Sequence, residues 1–107
     1  MTLDEVRLRR WDAEEDGPPE QERLLDLLRA RGFHASRHVY PPGTTFDEHT
    51  HDVDKIDAVV SGRFRMTAPG QEAVLEPGDW LEVPAGTPHT ARVVGDEPVV
   101  TLDARPM

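Results

Sequence analysis

The chain has 107 residues, a formal net charge of −9 and no cysteine. That length suits one domain with a single modest core. The acidic balance excludes the basic footprint that nucleic acid or an anionic membrane surface requires, and the missing cysteine excludes disulfides, thiolate metal sites and a cysteine nucleophile. The opening residues show no apolar run after their charges, and no stretch has the apolar length a bilayer demands. No secretory leader or membrane span is therefore expected, and cytoplasmic residence follows by default.

In chain order, the first expected element is a short strand over 6–11, followed by an exposed acidic patch. The GPP at 17–19 stops that strand and opens a helix, with Pro19 suited to the first turn. Glu20 and Glu22 near the start and Arg29 and Arg31 near the end complement the helix dipole. Leu24, Leu27 and Leu28 form an apolar stripe with Leu25 beside it, and Gly32 suits the residue just past the helix end. No other helix is expected. From Phe33 the texture changes to short strands cut by Gly and Pro, expected at 33–40, 45–51, 55–61, 63–68, 72–76, 79–83, 88–94 and 97–103. Turn signals separate them at 41–43, 69–70, 77–79, 84–86 and 95–98. Many short strands at this spacing imply an antiparallel sandwich or barrel, with 1–37 packing on a barrel of 38–107 as one domain.

Chemistry concentrates in two stretches. The first runs Gly43, five residues, His49, Thr50, His51, three residues, Lys55, six residues, Gly62. A His-x-His pair on a strand turns both imidazoles to one side, because side chains alternate with period two. The second runs Gly78, five residues, Pro84, Ala85, Gly86, two residues, His89, three residues, Val93. These spacings resemble the two signature motifs of the cupin superfamily, G-x5-H-x-H-x3-4-E-x6-G and G-x5-P-x-G-x2-H-x3-N. The resemblance covers roughly residues 38–103, and the stretch 81–95 in particular looks like the second motif of small single-domain bacterial cupins of RmlC-like jelly-roll form. It implies an all-β double-stranded β-helix with one N-terminal helix outside. It also implies His49, His51 and His89 as ligands of a divalent transition metal (Fe, Mn, Ni or Zn).

Two positions depart from the pattern. Val93 stands at the asparagine position of the second motif, where an apolar residue fills core space. Lys55 stands at the glutamate position of the first, which leaves the fourth ligand place open. An ammonium beside a divalent ion is repelled unless screened. Asp57, two residues on and on the same face, is a candidate to pair with Lys55 or to approach the metal, and the two are the candidate catalytic residues. A local bulge would instead turn Asp54 inward. Alternatively Lys55 loses its proton beside the metal, or its charge selects an anionic ligand. On this reading Lys55→Glu restores the usual ligand set and tightens divalent binding.

The other motif-like residues read as structural. His34 and His38 are satisfied strand histidines, with His38 a candidate for the barrel wall. Asp47, Glu48 and Asp52 are solvated rim charges. Trp80 and Glu82 alternate with Leu81 and Val83, so one pair faces the core and Trp80 is packing. Arg63 and Arg65 are exposed or at an interface. The functional expectation is a metal site that binds a small anionic or oxygenated metabolite, with a dioxygenase-like or isomerase-like reaction if it is an enzyme. The alternative is a non-catalytic ligand-binding or sensor module. A storage role fits poorly, because the chain holds a single copy of the unit. A homodimer is expected, formed by exchange or extension of the strand at 6–11.

Overall fold

The computed structural model describes residues 2–107. Strand β1 (Arg7–Arg9) is followed by α1 (Ala13–Asp16) and α2 (Gln21–Ala30). Eight further strands follow: β2 (Phe33–Tyr40), β3 (Thr45–His49), β4 (Lys55–Ser61), β5 (Arg63–Ala68), β6 (Gln71–Leu75), β7 (Trp80–Val83), β8 (His89–Val94) and β9 (Val99–Pro106). They form two antiparallel sheets, ordered β1-β7-β4-β9-β2 and β3-β8-β5-β6. The expected β architecture with an outer helix is what the chain adopts.

The alternation of side chains sorts the five-stranded sheet into two faces. Val59, Leu81, Val83 and Val99 point between the sheets, where Phe64, Met66, Leu75 and Val93 meet them from the other sheet. Ile56, Ala58, Trp80, Leu102 and Ala104 point the other way, under Leu24 and Leu28 of α2 and beside Phe33. Both faces of this sheet are therefore covered, which is why β4, β7 and β9 read as nearly unbroken runs of buried residues. Trp80 is packing, as expected, but in the outer layer. Its indole N–H donates to Glu82 Oε2 at 3.1 Å, and the Arg31 guanidinium holds both Glu82 oxygens at 2.9 and 3.2 Å.

Several details differ from the sequence reading. The strand expected over 45–51 ends at His49, so the loop that follows, and not strand alternation, turns the His51 ring toward His49. Residues 13–16 form a helical turn, because the Asp12 side chain accepts the Glu14 N–H as an N-cap and Gly17 ends the turn. The helix α2 begins after Glu20, so Pro19 lies just before the cap rather than in the first turn. The last strand runs to Pro106 instead of ending near 103, since the whole of β2 remains available to pair with it.

Two glycines of the signature spacing have stringent surroundings. Gly62 has φ +79°, and a Cβ there would lie 2.4 Å from the Pro98 carbonyl oxygen. Gly78 has φ +94° and is covered by the Trp11 side chain at 2.3–2.6 Å from such a Cβ. Any side chain at either position meets both a disfavoured backbone region and an occupied space. Among the described residues no helix is long and apolar enough to cross a membrane.

Candidate metal centre

Strand β3 carries the first histidine. It pairs with β8 so that Phe46 opposes Ala91 and His49 opposes His89. Three residues on one strand match two on the other, which is a bulge. The bulge lets both Phe46 and His49 face inward despite their odd separation. His51 lies just beyond the strand, in a loop fastened to the Pro84–Gly86 turn. The Gly86 N–H donates to the His51 carbonyl at 2.8 Å, and the Ala85 N–H donates to Asp54 Oδ1 at 2.9 Å. Asp54 Oδ2 also accepts the Leu3 N–H at 2.8 Å. Asp54 is therefore a buried staple between three segments, with both oxygens engaged by backbone, and not a turned-in ligand.

The three histidines converge. One candidate ligand atom from each of His49, His51 and His89 lies within 4.8 Å of the others, and among the described residues no carboxylate joins this set. Ring centroids are separated by 4.2 Å (His49–His89), 4.9 Å (His49–His51) and 5.1 Å (His51–His89). His49 Nδ1 lies 2.7 Å from the Asp47 carbonyl and His89 Nδ1 lies 2.9 Å from the Thr87 carbonyl. A carbonyl only accepts, so in each ring Nδ1 donates its proton there, which leaves Nε2 as the nitrogen turned to a metal. Backbone carbonyls thus fix the tautomer and orientation that a metal-binding imidazole needs. Burial, followed by the Lys55 charge, holds His51 below the ordinary imidazole range. Burial also lowers His89, opposed by its bond to Thr87. Both effects favour neutral rings with available lone pairs. The donor set fits a divalent transition ion.

These rings border a cavity of about 480 Å³. One side of it is apolar, from Phe46, Phe64, Met66 and Ala91, with Tyr40 meeting Phe46 edge-on at 5.0 Å. The opposite side is polar, from Asp57, Thr101 and Asp103. Burial pushes the Tyr40 hydroxyl up, helped by the negative charge of Asp103 and Asp57, so it remains a donor. Burial, and then Asp103, push the Asp57 carboxyl up to about 7, with Lys55 opposing.

Lys55 corrects the sequence reading. It is 3% exposed and points inward from β4, as the strand parity requires, but its partner is not Asp57. Its ammonium lies 2.5 Å from Asp103 Oδ1, on the neighbouring strand β9. Nor does Lys55 line the cavity; it sits behind the carboxylate that does. Asp103 is the residue the sequence reading missed. The available signal was its place in the alternation Val99, Thr101, Asp103, a polar end to an inward face. Tyr40 and Thr101 were missed for the same reason. Of the remaining candidates, His34 is exposed, and His38 stacks on Tyr40 with centroids 5.8 Å apart. Arg63 is exposed on the outer face of the second sheet, where Arg65 pairs with Glu72. Val93 fills the core, as expected.

Comparison with curated proteins gives no match. Among solved structures, KdgF from Halomonas sp. is 27% identical, with a TM-score of 0.61, over 71% of this chain and 70% of that one. The DMSP lyase DddQ from Ruegeria pomeroyi DSS-3 is 26% identical with a TM-score of 0.63, over 71% of this chain but 39% of the lyase. Bacillus subtilis oxalate decarboxylase, solved in work on its Mn(II) centers, is 26% identical with a TM-score of 0.59, over 69% of this chain and 21% of that one. The model of the Cupin domain matches residues 36–105, from within the second strand to within the last. That span is well over half of the sequence and contains both histidine motifs, so the chain belongs to the cupin domain family.

Proposed function

We propose that His49, His51 and His89 hold one divalent transition ion, and that the adjoining cavity admits a small ligand whose oxygen atoms complete its coordination. The observation that carries this reading is the convergence of three ligand atoms within 4.8 Å, two of the rings having their second nitrogen fixed by a carbonyl. The Mn(II) centers of the similar oxalate decarboxylase support a metal of this kind. A bound ion would act as a Lewis acid on a coordinated oxygen. The chain's own residues do the rest. Phe46, Phe64 and Met66 exclude water from one side of the ligand, and Tyr40 offers it a hydrogen bond. Selection of an anion rests on the ion rather than on Lys55, because no lysine or arginine lines the cavity among the described residues.

Protein purified without chelators or a histidine tag should carry about one equivalent of a transition metal, as three converging imidazoles imply. Elemental analysis reads this directly, and protein that stays metal-free after incubation with Mn, Fe, Ni and Zn salts would sink the reading. Oxygen uptake or turnover of a ligand distinguishes the enzyme, of dioxygenase-like or isomerase-like type, from the binding module. We also propose that the protein is a homodimer. Strand β1 lies at the edge of its sheet with one partner, β7, leaving the other edge open to a second copy. Light scattering should therefore give twice the chain mass at micromolar concentration, and a monomer mass would count against the dimer.

A further inference from the structure

We infer that Asp57 is the acid–base group of the cavity, a carboxyl on its wall that gives a proton to a ligand oxygen, or takes one from it, while Asp103 opposite is held by Lys55. The inference deepens the reading of the cavity as a ligand site and rests on it. Its basis is the register of β4 and β9, which sets Asp57 directly opposite Asp103 with both side chains facing inward. Like charges in that relation repel, so the pair favours a single proton. The Lys55 ammonium, 2.5 Å from Asp103 Oδ1, decides which carboxyl is charged. Asp57 makes no ion pair with any described residue, and the proton stays there.

The other groups facing Asp57 do not displace this arrangement. From β2 come Tyr40 and His38, one a neutral phenol and the other stacked on it. From β3 and the loop beyond it come Asp47, exposed at the rim, and the imidazoles of His49 and His51, with His89 from β8, burial lowering His51 and His89. The facing residues of β5 and β7 are apolar: Phe64, Met66, Leu81 and Val83. In the transfer the Asp57 O–H bond breaks and a ligand O–H bond forms, leaving an Asp57 carboxylate that Lys55 stabilises through space. The reverse transfer restores the acid. No other reactant is needed. A carboxyl raised to about 7 populates both forms at neutral pH, which is what such a group requires.

The sign of the pH effect follows. The folded value, about 7, lies above the ordinary 3.8, so stability from the protonated form is complete below 3.8 and is lost as pH rises through 7. Asp57→Asn is neutral throughout and should lack that slope in thermal melts between pH 4 and 8.

The direct test is carbon NMR of labelled aspartates in the metal-free full chain. The Asp57 carboxyl, assigned by its absence from Asp57→Asn, should titrate near pH 7. Lys55→Met should move that midpoint upward. Adding Asp103→Asn to it should bring the midpoint down again, and this double variant leaves no buried charge unpaired. A midpoint in the ordinary carboxylate range, or one that neither change moves, would overturn the inference. With Zn2+ bound and oxalate as an ionised probe, affinity should fall about tenfold from pH 6 to pH 8 in the wild type, the size of a one-unit effect. Asp57→Asn should abolish that difference, and an undiminished fall in the variant would overturn the acid–base role. Failure of Zn2+ uptake with the Asp57 midpoint still near 7 would sink the metal reading and leave the proton site standing.

Discussion

Replacing His49 and His51 together by alanine should abolish divalent metal uptake while the β fold stays intact. Two of three converging donors are lost, and one imidazole does not hold a transition ion against water. Loss of an outer-shell partner alone typically costs about 10–100-fold in affinity, so loss of two direct ligands should exceed about 1000-fold. The fold should survive because neither side chain belongs to an apolar cluster and both are only half-buried. The one bond removed, from His49 Nδ1 to the Asp47 carbonyl, is worth about 1 kcal/mol. His89→Ala is a less clean test, since that ring is 3% exposed and its removal also opens the wall. Elemental analysis of the double variant, with circular dichroism as the control for folding, gives the result. Uptake close to one equivalent, with native spectra, would show that the ion sits elsewhere.

The second large effect is expected at Lys55 and Asp103. Asp103→Asn leaves an ammonium whose side chain is 4% exposed without its counter-charge, which typically costs about 3–5 kcal/mol. Lys55→Met should cost less, about 2–3 kcal/mol, because the Asp103 side chain is 27% exposed and water screens part of its charge. The double variant Lys55→Met with Asp103→Asn should recover most of the loss, since a buried ion pair gains little over a well-packed neutral pair. Urea denaturation of the four proteins at pH 7 closes the cycle. Single variants within about 0.5 kcal/mol of the wild type, the range of ordinary surface changes, would mean that the pair is not a buried one. The structure also reverses what the sequence implies for Lys55→Glu. Read from the motif, that change restores a ligand and tightens metal binding. With Lys55 behind Asp103 and off the cavity wall, it sets a third carboxylate beside Asp57 and Asp103, and loss of stability is the expected outcome.

Local chemistry made much of this protein legible from its sequence. Short runs cut by Gly and Pro turns located every strand of the two sheets, because the turn residues that bound each strand are written in the local sequence. The leucine spacing located α2 in the same way. The motif spacings singled out His49, His51 and His89, and the structure draws the three together. Parity also placed Lys55 and Asp57 on the inward face of β4. Parity assigns a side chain to a face, however, and not to a neighbour. Which strand lies beside β4 depends on the crossing that inserts the last strand, β9, between β4 and β2. Only that placement brings Asp103 to Lys55 and sets it opposite Asp57, turning a lysine that looked like a missing ligand into the counter-charge of a cavity carboxylate. The fate of Asp54 was decided likewise, by the approach of the Pro84–Gly86 turn and the chain near Leu3, whose amide groups took both of its oxygens. Long-range pairing chose these partners, and no pattern within a single strand encodes it.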